Sequence, residues 1–121
     1  MSIFNQITKE ARKNPYKISI IINNKKLTYK ELVKEVNLVS NYLSFIKIKP
    51  NDKIGIVENN TLEFVLIYLA VSNIGAQIVP LNTSYTSEMV YQNFINLKIK
   101  HLFIWHQYLK YSKFKKMNLK N

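Results

Sequence analysis

The sequence predicts an α/β fold: a parallel sheet with covering helices, preceded by a small β-hairpin. Two observations lead there. From Thr28 onward, short runs rich in β-branched residues alternate with helical stretches of ten or more residues, the pattern of right-handed crossovers between parallel strands. From Phe64 to Val71 every residue is apolar or tyrosine, so a helix there has no face left for water and must be enclosed by other elements.

Taken in order, residues 3–13 carry Ile3, Phe4, Ile7 and Ala11 at helical spacing and stop before Asn14-Pro15, where proline bars continuation. Lys17 to Ile22 is isoleucine-rich and reads as a strand, Asn23-Asn24 is a turn signal, and Lys25-Lys26-Leu27 returns as the second arm of a hairpin. Thr28 and Glu31 form a capping box, flanked by Leu27 and Leu32 as a hydrophobic staple. The helix that follows has one apolar stripe, Leu32, Val36, Val39, Leu43 and Ile46, on an otherwise polar rod, and is expected to pack on one side only.

Pro50-Asn51-Asp52 centres a polar turn, and Ile54 to Val57 is a short strand. The apolar helix follows, with Asn60 and Glu63 spaced as a capping box and Gly75 able to take the left-handed conformation that closes it. Gln77-Ile78-Val79 reads as a buried strand that Pro80 stops. After a loop at 81–85, Thr86 caps a helix that carries Met89, Val90, Phe94 and Leu97 inward, and Leu102 to Trp105 is the last strand. From Tyr108 to Asn121, lysines alternate with Tyr111, Phe114 and Met117, either as a last amphipathic helix or as a frayed tail.

The 121 residues, 47% of them hydrophobic, suffice for one domain with a real core. There is no internal repeat and no linker that would split them. The N-terminus lacks a basic start followed by an apolar core and cleavage site, so no secretory signal is read, and the cytoplasm is the default location. Absence of cysteine removes disulfides and thiolate zinc sites. A membrane span is disfavoured, because Asn73, Gly75, Gln77 and Pro80 interrupt the apolar run well before the ~20 residues a bilayer demands.

A net charge of +11 invites a nucleic-acid reading. Yet Arg12 is the only arginine, and base readout leans on the planar arginine fork. Lysine, isoleucine and asparagine together make 48 of the 121 residues, the bias an AT-rich coding sequence imposes on any protein. The expectation is a lysine-solvated surface with no specific nucleic-acid partner.

Residues able to carry chemistry are sparse. Gly55 and Gly75 stand twenty positions apart, so no glycine-rich phosphate loop can be built. His101 and His106 on one extended strand would point to opposite faces, which separates them as metal ligands. No serine or threonine has a neighbouring histidine base. Glu58-Asn59-Asn60 is the one polar cluster at the strand end where parallel α/β sheets bind ligands, but a turn with a helix cap is the favoured reading of it. No catalytic, cofactor-binding or metal-ligating residue is therefore assigned.

Several stretches together resemble the adenylate-forming (AMP-binding) superfamily of acyl-CoA synthetases and nonribosomal-peptide adenylation domains. Leu27-Thr28-Tyr29-Lys30-Glu31-Leu32 is similar to its first core motif, L-T-Y-x-E-L, and Leu69 to Asn82 is similar to its second, L-A-x-x-x-A-G-A-x-x-x-P-L-N. Pro50 to Ile56 with Asn59 and Asn60 falls where the family has P-G-D-x-V-x-I and an asparagine, and Tyr85 to Met89 resembles its Y-T-x-E-L helix start. Order and spacing agree over roughly residues 14–105. Departures are Lys47 and Asn51 at places where the family has turn glycines, and Ile74 in place of an alanine.

The resemblance implies the first part of the large N-terminal domain of such an enzyme, so that residues 1–121 are a single partial domain. It implies attack of a carboxylate on the α-phosphate of Mg-ATP, giving acyl-AMP and pyrophosphate, then transfer to the thiol of CoA or a carrier protein. The family's Ser/Thr/Gly-rich loop, ribose-binding aspartate and catalytic lysine lie downstream of this segment and have no counterpart here. The expectation is a scaffold fragment without its own cofactor, ATP and Mg being implied for the complete enzyme. Its expected partner is the remainder of the enzyme or a second copy meeting an apolar sheet edge. The rival reading is a stand-alone interaction module with a lysine-rich surface.

Overall fold

The computed structural model describes residues 2–57, 61–81 and 86–103. The elements run α1 (Ile3–Lys13), β1 (Ile18–Ile22), β2 (Lys25–Thr28), α2 (Tyr29–Phe45), β3 (Lys53–Val57), α3 (Leu62–Ile74), β4 (Gln77–Leu81), α4 (Ser87–Asn96) and β5 (His101–Phe103). The fold class is the one expected: a three-stranded parallel sheet in the order β4-β3-β5, with helices, and a separate antiparallel hairpin of β1 and β2.

The hairpin turns on Asn23 and Asn24, whose φ of 49° and 68° give the two left-handed residues a type I′ turn requires and asparagine tolerates. Ser19 is the extra residue where the register slips between Ile18 and Ile20, and its hydroxyl donates to the Leu27 carbonyl at 2.9 Å. At the start of α2 the capping box is complete. Thr28 Oγ1 accepts from the Glu31 amide at 3.1 Å, and Glu31 Oε1 accepts from the Thr28 amide at 2.9 Å. The Thr28 amide, and after it the Thr28 hydroxyl, hold the Glu31 carboxyl below the usual glutamate range. The box therefore contributes fully at neutral pH and weakens as pH falls through that lowered value.

α2, α3 and α4 end in the same hydrogen-bonded turn. In each, a left-handed residue donates to the carbonyl three back, and the next residue donates to the carbonyl five back: Lys47 to Ser44 and Ile48 to Leu43, Gly75 to Ser72 and Ala76 to Val71, Lys98 to Ile95 and Ile99 to Phe94. This is the Schellman motif, and its apolar follow-on residues Ile48 and Ile99 are buried. Glycine fills the left-handed position after α3, whereas lysine fills it after α2 and α4. Left-handed backbone costs a non-glycine residue roughly 1–2 kcal/mol, while glycine forfeits about 0.5–1 kcal/mol in unfolded-state entropy. Lys47 is exposed, so Lys47→Gly is expected to stabilise by about 0.5–1 kcal/mol, read as a rise in urea midpoint with unchanged slope. An unchanged or lowered midpoint would show that the lysine side chain contributes more than its backbone costs.

β3 is the central strand. Ile54 pairs in register with Ile78 and His101, Gly55 with Val79 and Leu102, and Ile56 with Pro80 and Phe103. Below it, the Gln77 amide donates to the Asp52 carbonyl and the Lys100 amide to the Lys53 carbonyl, both at 2.8 Å, which ties the strand starts together. Asp52 Oδ2 accepts from the Lys49 amide at 2.8 Å, fixing the polar turn that enters the strand. The sheet has two different faces. Ile54, Ile78 and Phe103 join the core built by Phe4, Leu32, Val36, Leu43, Leu66, Leu69, Ala70 and Val71 from α1, α2 and α3. Gly55 turns the other way, against the buried side chains of Leu102 and Ile99.

Several expectations need correction. α3 is capped by Thr61, whose Oγ1 accepts from the Phe64 amide at 3.3 Å, one residue beyond the Asn60 start; a hydroxyl directly before the helix reaches the third amide without help. Pro80 does not end β4 but lies within it. β4 is an edge strand, where a missing N–H on the open side costs no ladder bond. α3 is not enclosed all round: Leu66, Leu69, Ala70 and Val71 are buried, while Tyr68 is 39% exposed. β3 starts at Lys53, one residue earlier than expected. In α4 Val90 is buried, but Met89 and Leu97 are exposed. α2 also bears a second apolar stripe, Leu38, Tyr42 and Phe45, on the face expected to be polar. Ile104, Trp105 and the 108–121 segment lie outside the described residues.

Candidate functional site

The sheet order locates the place where a ligand would sit. The chain leaves β3 through α3 to β4 on one side, then comes back through α4 to β5 on the other, so the strand order reverses at β3. In open α/β sheets ligands bind outside the carboxyl ends of the strands at such a switch point. Glu58-Asn59-Asn60 follow β3 at this edge in the sequence, as residues 82–85 follow β4, and both segments lie outside the described residues.

What the structure does describe at this edge is local. α3 and α4 both start there, and the dipole and free amides of a helix start attract anions. Here each start is occupied by its own chain. Thr61 Oγ1 takes the Phe64 amide and Thr86 Oγ1 takes the Met89 amide at 3.2 Å, and Glu63 and Glu88 place negative charge in the first turns. Lys25 Nζ lies 3.9 Å from Glu63 Oε1 with both groups exposed, a pair of little energetic weight.

His101 is buried at the first position of β5, at the sheet end opposite the switch point. His106 lies outside the described residues. Among the described residues no three His, Cys, Asp or Glu side chains gather as a metal site, and no helix is long and apolar enough to cross a membrane.

Two surface features escaped the sequence reading. Phe64, Tyr68 and Ser72 on α3, Ala76 just after it, and Ile78 and Pro80 on β4 line an open groove of about 440 Å³. Phe64 and Tyr68 stack there with centroids 6.2 Å apart. The signal was present as steps of four from residue 64 to 76, hidden inside a run that is apolar on every face. The second is the Leu38, Tyr42 and Phe45 stripe, with steps of four and three.

The capping box at Thr28, the left-handed Asn51, the Gly75 turn and the Thr86 cap all occupy motif positions of the family that the sequence resembles. The sequence model of that family, described as AMP-binding enzyme, matches residues 7–120. The chain belongs to the AMP-binding enzyme family. Among curated AMP-binding relatives, a 2-succinylbenzoate–CoA ligase from Bacillus pumilus is 32% identical over 82 residues, which cover 68% of this chain and 17% of the ligase. Tyrocidine synthase 3 from Brevibacillus parabrevis is 32% identical over 79 residues, 65% of this chain and 1% of the synthase. The chain therefore spans less than a fifth of either relative.

Solved structures show the same fold. A coronafacic acid ligase from Pectobacterium brasiliense superposes with a TM-score of 0.83 at 21% identity, covering 93% of this chain and 22% of the ligase. The N-terminal subdomain of Klebsiella oxytoca NpsA, in complex with 3-hydroxyanthranilyl-AMSN, gives 0.77 at 19% identity over 85% of this chain and 26% of that one. The parallel sheet, its helices and the leading hairpin are the architecture of these N-terminal subdomains.

Proposed function

We propose that this AMP-binding segment is the scaffold-forming N-terminal part of an acyl-adenylate-forming ligase, and that alone it neither activates carboxylates nor binds Mg-ATP with useful affinity. The observation that carries this reading is the use to which the motif residues are put. Thr28, Glu31, Asn51, Gly75 and Thr86 make caps and turns, each bonded within its own stretch of chain or adopting a left-handed backbone. The Asn51 amide donates to the Gly75 carbonyl at 3.0 Å, so these two motif turns brace each other.

In the complete enzyme a carboxylate oxygen attacks the α-phosphorus of Mg-ATP, pyrophosphate leaves, and a thiol of CoA or a carrier protein then displaces AMP from the acyl group. Stabilising charge on the transferring phosphate requires donors held around it, and two glycines twenty positions apart cannot supply a backbone cradle. The cytoplasm, where ATP and CoA are available, is the location this reading requires.

Carboxylate-dependent exchange of labelled pyrophosphate into ATP tests it. Over a panel of fatty, aryl and amino acids the 121-residue chain is expected to stay at the no-enzyme blank. Exchange above that blank, abolished by omitting the carboxylate, would overturn the scaffold reading.

A further inference from the structure

Five exposed lysines meet at the end of the parallel sheet opposite the switch point. Lys47 and Lys49 lie on the connection from α2, Lys53 begins β3, and Lys98 and Lys100 lie on the turn into β5. Hydrogen bonds hold these stretches together. The Lys100 amide donates to the Lys53 carbonyl, while the Asp52 carboxylate accepts from the Lys49 amide at 2.8 Å and lies 3.6 Å from Lys100 Nζ. Asp52 is the only acid on either connection. Among the described residues, the ammonium groups of Lys47, Lys49, Lys53 and Lys98 take part in no ion pair.

The glutamates of the helices stand at the far ends. Glu31, Glu63 and Glu88 lie in the first turns of α2, α3 and α4, and it is the last turns of these helices that reach the lysine edge. A rise of 1.5 Å per residue puts Glu31 on the order of 20 Å from the end of α2. An exposed apolar side chain precedes each lysine connection. Phe45, 81% exposed, ends α2 two residues before Lys47, and Leu97, 39% exposed, caps α4 directly before Lys98. Helix ends also attract lysine through their carbonyls, but that attraction gives no reason for an aromatic ring to stand in water beside the charges.

We propose that this edge docks on an anionic lipid bilayer, its lysines lying among the headgroup phosphates while Phe45 and Leu97 enter the interface. Lysine is a point charge suited to headgroups of no fixed geometry, and the one arginine able to read a base through two hydrogen bonds, Arg12, lies elsewhere, in the last turn of α1. A basic cluster and an inserted apolar side chain are each weak membrane signals, and together they hold a peripheral protein at a surface. Docking of this kind needs no spanning helix, and no described helix is long and apolar enough to be one. It leaves the carboxyl end of the sheet, where a ligand would sit, on the side away from the lipid. The proposal is independent of whether the chain activates carboxylates.

Co-sedimentation of the full 121-residue chain with vesicles tests this. The chain is expected to bind vesicles of equal parts phosphatidylglycerol and phosphatidylcholine, to be released as salt rises, and to ignore pure phosphatidylcholine. Combining Lys47→Gln, Lys49→Gln and Lys98→Gln is expected to weaken binding more than about tenfold, since each lysine at an anionic surface contributes about fivefold. Phe45→Ser is expected to weaken it about fivefold. A control with Arg12→Gln, Lys13→Gln and Lys26→Gln removes the same charge from exposed positions elsewhere and is expected to change binding less than about threefold. Far-UV circular dichroism is expected to be the same for all four proteins. No binding to the anionic vesicles would overturn the proposal. So would equal losses in the two triple variants, which would mean that net charge alone attracts the chain, or an unaffected Phe45→Ser, which would mean a purely ionic contact. Tighter binding to single-stranded DNA than to these vesicles, with the same lysine dependence, would reassign the edge to nucleic acid.

Discussion

Ile54→Ala is expected to lower the free energy of unfolding by about 3–4 kcal/mol. Ile54 is fully buried near the start of the central strand, paired with Ile78 on one side and His101 on the other, and it faces the core that α1, α2 and α3 share with the sheet. Truncation removes three carbons and leaves a void walled by residues on several elements, which cannot all move in together. A chain of this size has a total stability on the order of 6–18 kcal/mol, so this one change removes a substantial part of it. Urea unfolding followed by circular dichroism measures it, with Ile54→Val as the graded companion at about 1 kcal/mol. A loss below 1 kcal/mol for the alanine variant would mean that the sheet and the α2–α3 layer close over the gap and that Ile54 is not central to the core.

Gly55→Val is expected to be as damaging for the opposite reason. A Cβ at residue 55 would stand 2.9 Å from Leu102 Cδ1 and 3.0 and 3.1 Å from Ile99 Cδ1 and Cγ2. Both neighbours are buried, so their flexible ends have little room to retreat. Gly55→Ala is expected to cost about 1–2 kcal/mol and Gly55→Val about 3 kcal/mol, within the range of overpacked cores or just beyond it. Removing the obstructing methyl should return part of the loss: Ile99→Val combined with Gly55→Ala is expected to be less destabilised than the sum of the two single changes. Additive losses in this double-mutant cycle would show that crowding by Ile99 is not the reason for glycine here.

Much of this architecture could be read from the sequence because it is written in local chemistry. The Thr28–Glu31 box, the Asn23-Asn24 turn, Gly75 and the Thr86 cap each depend on side chains within five residues of the backbone groups they satisfy. The Lys98 turn was not legible. Lysine has no preference for a left-handed backbone, and only the Schellman bonds of Lys98 and Ile99 reveal it. Pro80 was misread because strand termination and edge position leave the same mark in a sequence, and only the sheet order tells them apart. The exposure of Tyr68 was hidden because Phe64 to Val71 are all apolar or tyrosine, with nothing polar to define an outer face there. At the candidate site, the α/β rule points to the strand end after β3, but the sequence held no donor set to place there, and the described helix starts beside it are engaged in capping.

The order of the strands also fixes an order in time. The hairpin closes over a two-residue turn, which is a microsecond event for an isolated chain. Ile54 and Ile78 are 24 positions apart, whereas Ile54 and His101 are 47 apart. Closing the second loop costs about 0.6 kcal/mol more in chain entropy than closing the first, and it must also wait for α4 to span the opposite face. β5 is thus the strand best suited to join last, after β3, α3 and β4 have formed a βαβ nucleus. Contacts that form after the rate-limiting barrier govern how fast a protein comes apart rather than how fast it assembles. Substitutions at Leu102 and Ile99 are therefore expected to speed unfolding with little change in the folding rate, and those in the β3–α3–β4 unit to slow folding, which stopped-flow chevrons would measure.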